Sequence, residues 1–258
     1  MSRSITNRPT SQCRALAAVL ALLLPVHGWA DMTVVQFGCQ SGNIYTETVN
    51  SNPNTGYTYT YPSAVGSGHL VVFGGINETR SIIGVTGTNI SFSLNGANTN
   101  NATAGWNASQ WKGVATGSVA SSQLELSGAS TVNNGICFIE LANNESDQSG
   151  SVANGASADA TTTHISGSVT PPSAVNAVVA TSYVSGGTVT PDAGLTSITT
   201  GYASMFFAYR LQTAATAQQN DLATDTSRYS AMRIGAFAGT ASGATCARSL
   251  MLMGVGGC

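Results

Sequence analysis

The stretch His69–Gly75, HLVVFGG, decides the fold class of this chain. It is a short, continuous apolar run bounded by glycine, which is the pattern of a buried β-strand. Similar short runs follow one another at intervals of roughly ten residues, and most end at Gly, Asn or another turn former. They read TVVQFGCQ, YTYTY, SIIGVTG, ISFSLNG, SQLELSG, ICFIELA, HISGSVT, NAVVATSYV, SMFFAYRLQ and YSAMRIGAFAG. No long window keeps a helical period, so the sequence predicts an all-β sandwich or barrel.

A polar stretch interrupts this series of predicted strands. Residues 142–163 are mostly Asn, Ser, Ala, Thr and Gly, with little that a core would bury. A linker between two domains and a long loop within one domain both fit this composition. We favour the loop, because neither half of the chain has enough strands to close a stable sandwich. The sequence therefore predicts one domain over residues 31–240.

The first thirty residues have the pattern of a signal peptide. Three arginines and no acid precede an apolar run from Ala15 to Val26, and small residues stand at Gly28 and Ala30. This pattern predicts cleavage between Ala30 and Asp31 and export from the cytoplasm. The apolar run is shorter than the roughly 20 residues that span a bilayer, so a membrane anchor is the weaker interpretation.

Four cysteines follow the predicted cleavage point, namely Cys39, Cys137, Cys246 and Cys258. An even number of cysteines in an exported protein indicates disulfides, although four of them allow three connectivities. We favour Cys39–Cys137 and Cys246–Cys258. The second pair closes a short loop in a tail over residues 241–258. The alternative is that Cys258 is a free thiol that links neighbouring molecules.

The chain has unusually few charges. Only 8% of its residues are charged, compared with about 25% in ordinary globular domains. The net charge is −2, and removing the three arginines of the leader takes it to about −5. Without a basic patch, nucleic acid and anionic membrane surfaces are not expected partners. Serine, threonine, asparagine and glycine supply the polar surface that is common on secreted β-proteins.

Four segments stand out along the chain, namely PSAVGSGHLVVFGGINETRSIIGVTG at 62–87, ISGSVTPPSAVNAVVATSYVSGG at 165–187, YRLQTAA at 209–215 and SAMRIGAFAG at 230–239. Together they resemble a widespread family of bacterial secreted β-sandwich domains. In these segments 68–73, 176–180 and 230–237 resemble the first, a later and the closing strand of the family. The resemblance implies a jelly-roll-like antiparallel sandwich. It implies no activity, because such domains are mostly uncharacterised modules of extracellular and surface proteins.

The histidines and acids give no clear catalytic pattern. His69 opens a predicted strand and His164 lies beside the polar stretch, and neither has the spacing of a metal site. Glu125 and Glu140 stand at polar positions of alternating strands, and we expect both to face solvent. Paired carboxylates for sugar hydrolysis are the alternative for these two glutamates.

A calcium site is a minor possibility in the polar stretch. Asn143, Glu145 and Asp147 alternate before Gly150, and calcium prefers carboxylate and carbonyl oxygens. The spacing does not match an EF-hand loop. We therefore expect no metal or other cofactor, with loosely bound calcium as the exception.

A row of aromatic residues is the best sign of carbohydrate binding. Tyr57, Tyr59 and Tyr61 project from one face of a predicted strand, and Trp106 and Trp111 lie on either side of a short polar segment. Exposed aromatic rings stack on sugars. The alternative is that the tyrosines cover the core of the sandwich.

Three functions remain open. The first is a secreted, non-catalytic structural or surface protein, such as a self-associating subunit of a filament, sheath or surface layer. The second is a carbohydrate-binding or adhesive module with an extracellular glycan as its partner, which rests on the tyrosine row and on analogy between folds. The third is a secreted hydrolase of unfamiliar type, for which we identify no residues. We favour the first, and we do not expect an enzyme.

Overall fold

The computed structural model describes residues 31–128, 134–186, 188–191, 193–198, 200 and 203–240. Within these residues the chain is all-β and contains no helix. Its strands in the first half are β1 (Thr33–Gly42), β2 (Glu47–Val49), β3 (Asn52–Val65), β4 (Leu70–Glu78), β5 (Ile82–Gly87), β6 (Ile90–Leu94), β7 (Thr99–Asn101), β8 (Trp106–Ala115), β9 (Val119–Leu126) and β10 (Asn134–Ala142). Those in the second half are β11 (Val152–Ile165), β12 (Asn176–Val184), β13 (Val189–Thr190), β14 (Thr196–Ile198), β15 (Met205–Gln212) and β16 (Asp221–Ala238). The predicted all-β class is confirmed.

The strands form two antiparallel sheets, one from each half of the chain. The ten-stranded first sheet has the order β1-β10-β4-β8-β6-β5-β9-β3-β2, and β7 pairs with β8. The six-stranded second sheet has the order β11-β16-β12-β15-β14, and β13 pairs with β16. The two sheets pack face to face as a sandwich. Each half supplies one complete sheet, which explains why neither half would bury its apolar face alone.

Strand β4, which contains the HLVVFGG stretch, is buried on both faces. Leu70 and Val72 point into the core between the two sheets, whereas Val71 and Phe73 point into a second core on the other side of the first sheet. Its neighbour β10 alternates in the same way. A strand that serves two cores needs apolar residues at consecutive positions, and this accounts for the unbroken run in the sequence.

The second core exists because the first sheet curls. Tyr59 on β3 packs edge-to-face on Phe138 of β10, with ring centroids 5.0 Å apart. These strands lie near opposite ends of the hydrogen-bonded order, with five strands between them. Curling therefore brings the two ends of the sheet together around a common apolar interior.

Contacts between the sheets fix how they align. The Sγ atom of Cys137 on β10 lies 3.9 Å from the Sδ atom of Met205 on β15. Gln110 on β8 donates from Nε2 to the carbonyl oxygen of Val179 on β12 at 3.1 Å. Strand β10 thus faces β15, and β8 faces the middle of the second sheet. The end strands β1 and β14 consequently lie on the same side of the sandwich.

The predicted long loop over residues 142–163 is wrong in its second part. Residues Val152–Ile165 form β11, which pairs with β16. A strand at the end of a sheet can be polar, because its backbone is satisfied by one neighbour and both faces reach solvent at the edge. The connection between the sheets is only residues 143–151, and Gln148 fixes it by bonding both the N–H and the carbonyl of Ala238.

The structure contains a disulfide between Cys39 and Cys137. The two residues are direct partners across β1 and β10, with Cα atoms 4.1 Å apart, so the favoured pairing of these two cysteines is confirmed. The Cys246–Cys258 pair, the tail from residue 241 and the signal peptide all lie outside the described residues. Among the described residues there is no helix of the length and apolarity that crossing a membrane requires.

Candidate functional site

Polar side chains cluster at three places in the structure: the seam between β1 and β3, a cleft beside Lys112, and the region around β11.

The seam is defined by Gln36 on β1 and Ser63 on β3. The Gln36 carboxamide donates from Nε2 to the carbonyl oxygen of Ser63 at 2.8 Å and accepts from its N–H at 3.1 Å. One side chain therefore makes the pair of bonds that a neighbouring strand would make. The curled sheet is held closed at this point.

Glu140 lies directly behind the seam and is buried, so the expectation that it faces solvent is wrong. Its carboxylate accepts from Gln36 Nε2 at 2.5 Å, from the N–H of Gly66 at 3.0 Å, and contacts His69 Nδ1 at 2.5 Å. Only 1% of its side chain is exposed. A buried carboxylate is tolerated because these groups replace the hydrogen bonds of water. The curl of the sheet turns this polar position inward.

His69 orients its ring through the same carboxylate and keeps 29% of its side chain exposed. A histidine whose Nδ1 is fixed by a carboxylate has a defined tautomer, as in hydrolytic sites. The other partners of Glu140 are a backbone N–H and the Gln36 amide, both of which belong to the closure of the sheet. The arrangement thus holds the turn before β4.

Glu125 is not part of this group. Its carboxylate accepts a hydrogen bond from Asn50 Nδ2 at 2.9 Å near the surface.

The aromatic residues expected to bind sugars lie mainly in the cores. Tyr57, Tyr59 and Tyr61 share one face of β3, as the sequence predicts, but this face lines the second core, with Tyr59 and Tyr61 buried. Trp111 joins them there. Trp106 is buried between the sheets, where its ring stacks on Tyr183 with centroids 4.1 Å apart. The rings therefore do not form an exposed platform, and this expectation is corrected.

Burial changes the acidity of these phenols. Desolvation by burial, with a smaller repulsion from Tyr57, raises the pKa of Tyr59 to about 12. Burial likewise raises the pKa of Tyr45 and of Tyr61, and the hydroxyl of Tyr61 pairs with Ser122 Oγ at 2.7 Å. The tyrosines stay neutral at physiological pH and act as core residues.

A polar cleft of about 370 Å³ lies beside Lys112 on β8. Its walls are the connection between the sheets and the face of β6 and β8 that points away from the second core, with lining residues Ser91, Ser93, Lys112, Gly113, Val114, Ser146, Asp147, Gln148 and Ser149. The volume is at the lower end of the range for small-molecule sites. The cleft brings together groups distant in the sequence, so no local motif predicts it.

Lys112 holds one wall of this cleft. Its Nζ atom donates to the carbonyl oxygen of Gln148 at 2.6 Å and to Ser151 Oγ. Partial burial lowers the pKa of Lys112, although the nearby Asp147 opposes the shift. The ammonium and the serine hydroxyls are hydrogen-bonding groups of the kind that recognise a hydroxylated ligand.

The three residues considered for calcium lie along the same connection. Asn143 donates from Nδ2 to the carbonyl oxygen of Asp31 at 2.9 Å. Glu145 and Asp147 are exposed, and Asp147 accepts from the N–H of Ser149 at 2.8 Å. This backbone hydrogen bond lowers the pKa of Asp147. In the part of the chain that the structure describes, no group of three or more His, Cys, Asp or Glu side chains is placed to hold a metal ion.

The second sheet contains two buried basic side chains. Arg233 donates from Nη2 to the carbonyl oxygen of Asn95 at 2.5 Å, and Asn95 in turn donates to Gln110 Oε1 at 2.8 Å. His164 is buried on β11, where its ring nitrogens contact Ser230 Oγ at 3.0 Å and a threonine hydroxyl. Burial lowers the pKa of both basic groups. Their partners are distant in the sequence, so the sequence alone did not identify these contacts.

Strand β11 ends the second sheet. On one side it pairs with β16, in unbroken register from Val152 to Ala158. Its continuation is irregular, and Asp159 there is held by Asn101 and Thr103 of the first sheet. Among the described residues no strand pairs with the other side of β11. The carbonyl oxygen of Ala158 accepts from Asn101 Nδ2 at 3.0 Å. Residues Val152–Ser157 are therefore an open sheet edge within the described part of the chain.

Comparisons with known proteins add no assignment. No protein-family model, curated protein or solved structure matches this chain. The resemblance to secreted bacterial β-sandwich domains therefore stays a prediction.

Proposed function

We propose that this chain is a secreted, non-catalytic structural or surface protein whose copies associate through the open edge of β11. The observation that carries the proposal is the open edge over residues Val152–Ser157. An unpaired edge offers backbone donors and acceptors to another strand, and strand addition is a common mode of association.

The composition of β11 supports this use of the edge. Proteins that avoid edge association place lysine, proline or other charges on exposed edge strands. Strand β11, VANGASADATTTHI, has no lysine, arginine or proline, and its regular half has no formal charge. Its small side chains allow a second strand to approach closely. The predicted signal peptide and the Cys39–Cys137 disulfide suit a protein that works outside the cytoplasm.

A lysine on the edge tests the proposal. Ser157 is exposed on β11, and Ser157→Lys introduces a charge that repels a second copy placed edge to edge. The matched control is Thr60→Lys on β3, where the backbone is paired with β9. We expect mature wild-type protein to self-associate in sedimentation velocity over a concentration series, and Ser157→Lys to weaken association at least about tenfold. A monomeric wild type, or assembly that survives Ser157→Lys unchanged, contradicts the proposal.

A second candidate function is glycan binding at the cleft beside Lys112. The observation that favours it is that four serines, Lys112 and Asp147 line the same cleft. Isothermal titration with soluble oligosaccharides, compared between wild type and Ser93→Trp, tests it. Ser93 is exposed and lines the cleft, so the bulky substitution blocks the site without entering the core. Absence of binding across the oligosaccharides, or equal binding by both proteins, rejects this candidate.

A further inference from the structure

The chain contains three Asn-Gly dipeptides, at Asn95, Asn134 and Asn154. In this dipeptide an asparagine loses its side-chain amide most readily, because glycine has no Cβ atom to keep its backbone nitrogen away from the preceding carboxamide. The structure places the three dipeptides in different surroundings. Their exposure and hydrogen bonds therefore decide which of them can react in the folded protein.

Two of the three asparagines are protected by the fold. Asn95 is buried, and its Nδ2 donates to Gln110 Oε1 at 2.8 Å. Asn134 is buried at the start of β10, a strand that pairs with β1 on one side and with β4 on the other. A reaction at either asparagine first requires local opening of the structure around it.

Asn154 lies instead on the open edge over Val152–Ser157, where its side chain is exposed. The N–H of Gly155 donates to Oδ1 of Asn154 at 2.8 Å. The backbone nitrogen of Gly155 is thus held beside the carboxamide that it must attack to close a ring. Nδ2 of Asn154 donates to the carbonyl oxygen of Ser168 at 3.1 Å, which keeps the carboxamide in this place.

We propose that Asn154 is a site of spontaneous deamidation and that its conversion weakens association through β11. The Gly155 nitrogen attacks Cγ of Asn154, the Cγ–Nδ2 bond breaks, and ammonia leaves with the proton of the Gly155 N–H. Water then opens the resulting succinimide ring at either of its carbonyl groups, which gives aspartate or isoaspartate. Water is the only co-reactant.

Both products alter the edge on which the proposed self-association depends, and this part of the inference rests on that proposed function. The regular half of β11 has no formal charge, and either product adds a negative charge there. Charges on exposed edge strands oppose pairing with another strand. Isoaspartate also adds a methylene group to the main chain, so the backbone groups beyond it lose their register. The proposed assembly therefore weakens as the protein ages.

Peptide mapping of the mature full chain during incubation at mildly alkaline pH tests the modification. We expect aspartate and isoaspartate to accumulate at position 154 at least about tenfold faster than at 95 or 134, because the two buried asparagines react only after local opening. In the control Asn154→Gln the amide is kept, but the longer side chain disfavours ring closure, so position 154 should stay unconverted. Conversion at Asn154 that is no faster than at Asn95 or Asn134 overturns the site.

Sedimentation velocity of fresh protein tests the effect on association. We expect Asn154→Asp to weaken the association of the wild type at least about tenfold. The matched control is Asn54→Asp, which adds the same charge at an exposed position of β3 and should leave association unchanged.

The outcomes separate this inference from the proposed function. If the wild type associates and Asn154→Asp associates equally well, the effect of deamidation is wrong, and Ser157→Lys still decides the proposed function by itself. If the wild type is monomeric, the proposed function fails and the effect on association fails with it. Rapid conversion at Asn154 would establish the modification site in either case.

Discussion

The Nδ1 atom of His69 lies 2.5 Å from Oε1 of Glu140, so the turn before β4 is joined to the buried centre of β10. Gln36 and the N–H of Gly66 contact the same carboxylate. Removing this carboxylate leaves three polar groups without their partner. Glu140 therefore bonds three groups at the place where the curled sheet closes.

Glu140→Ala should lower the free energy of unfolding by about 3 kcal/mol, because breaking one side of a buried charged network leaves the other side unpaired. Urea denaturation of the mature protein measures the change. Glu125→Ala is the matched control, since this glutamate bonds Asn50 near the surface and should cost at most about 1 kcal/mol. Equal losses of unfolding free energy in the two variants would show that the hydrogen bonds of Glu140 stabilise the fold no more than the surface hydrogen bond of Glu125.

Replacing both Cys39 and Cys137 with alanine should lower the free energy of unfolding by about 4 kcal/mol. The disulfide joins residues 98 positions apart, and its removal frees a long loop in the unfolded chain. Urea denaturation under non-reducing conditions measures this effect. The wild type with and without reductant is the control, because reduction removes the crosslink but keeps both side chains. If the urea midpoint is the same in the double variant, in the reduced wild type and in the oxidised wild type, the disulfide does not stabilise the sandwich.

Acidification should destabilise the protein through His164. Burial lowers the pKa of His164 in the folded state, so the unfolded chain binds its proton first as the pH falls below about 6.5. The contribution of neutral His164 is therefore present above this pH and is lost progressively below it. In His164→Gln the decline of the thermal midpoint between about pH 6.5 and 5 should be shallower. The exposed neighbour Thr162→Gln is the control, and identical pH slopes in wild type and His164→Gln would exclude this residue as the cause.

Gly74 should tolerate no side chain, because side chains of the opposite sheet lie directly over it. A Cβ atom at this position would meet Thr181 Oγ1 and the ring of Phe207 on the opposite sheet. Gly74→Ala should therefore lower the free energy of unfolding by about 1–3 kcal/mol through overpacking. Gly150 has nothing within 4 Å of such an atom, so Gly150→Ala is the matched control and should be near neutral. A neutral Gly74→Ala would mean that the sheets can move apart at this point.

The sequence by itself determined the local β pattern. The unbroken run in β4, the alternating tyrosines of β3 and the turn formers between strands all follow from neighbours in the chain, so they predicted the all-β sandwich. The pairing of Cys39 with Cys137 was also favoured correctly, although sequence alone left other connectivities open. These features depend on the periodicity of the side chains and on turn-forming residues, both of which can be recognised within a few consecutive residues.

Only the tertiary structure decided which face of each strand is inside. The curl of the first sheet turns Tyr59, Tyr61 and Glu140 inward, and the edge position of β11 turns a polar stretch into a strand. Each outcome depends on a partner far away in the chain: Phe138 for Tyr59, His69 for Glu140, and β16 for β11. Alternation specifies that two faces differ, but the face that meets a core is set by the packing of distant strands.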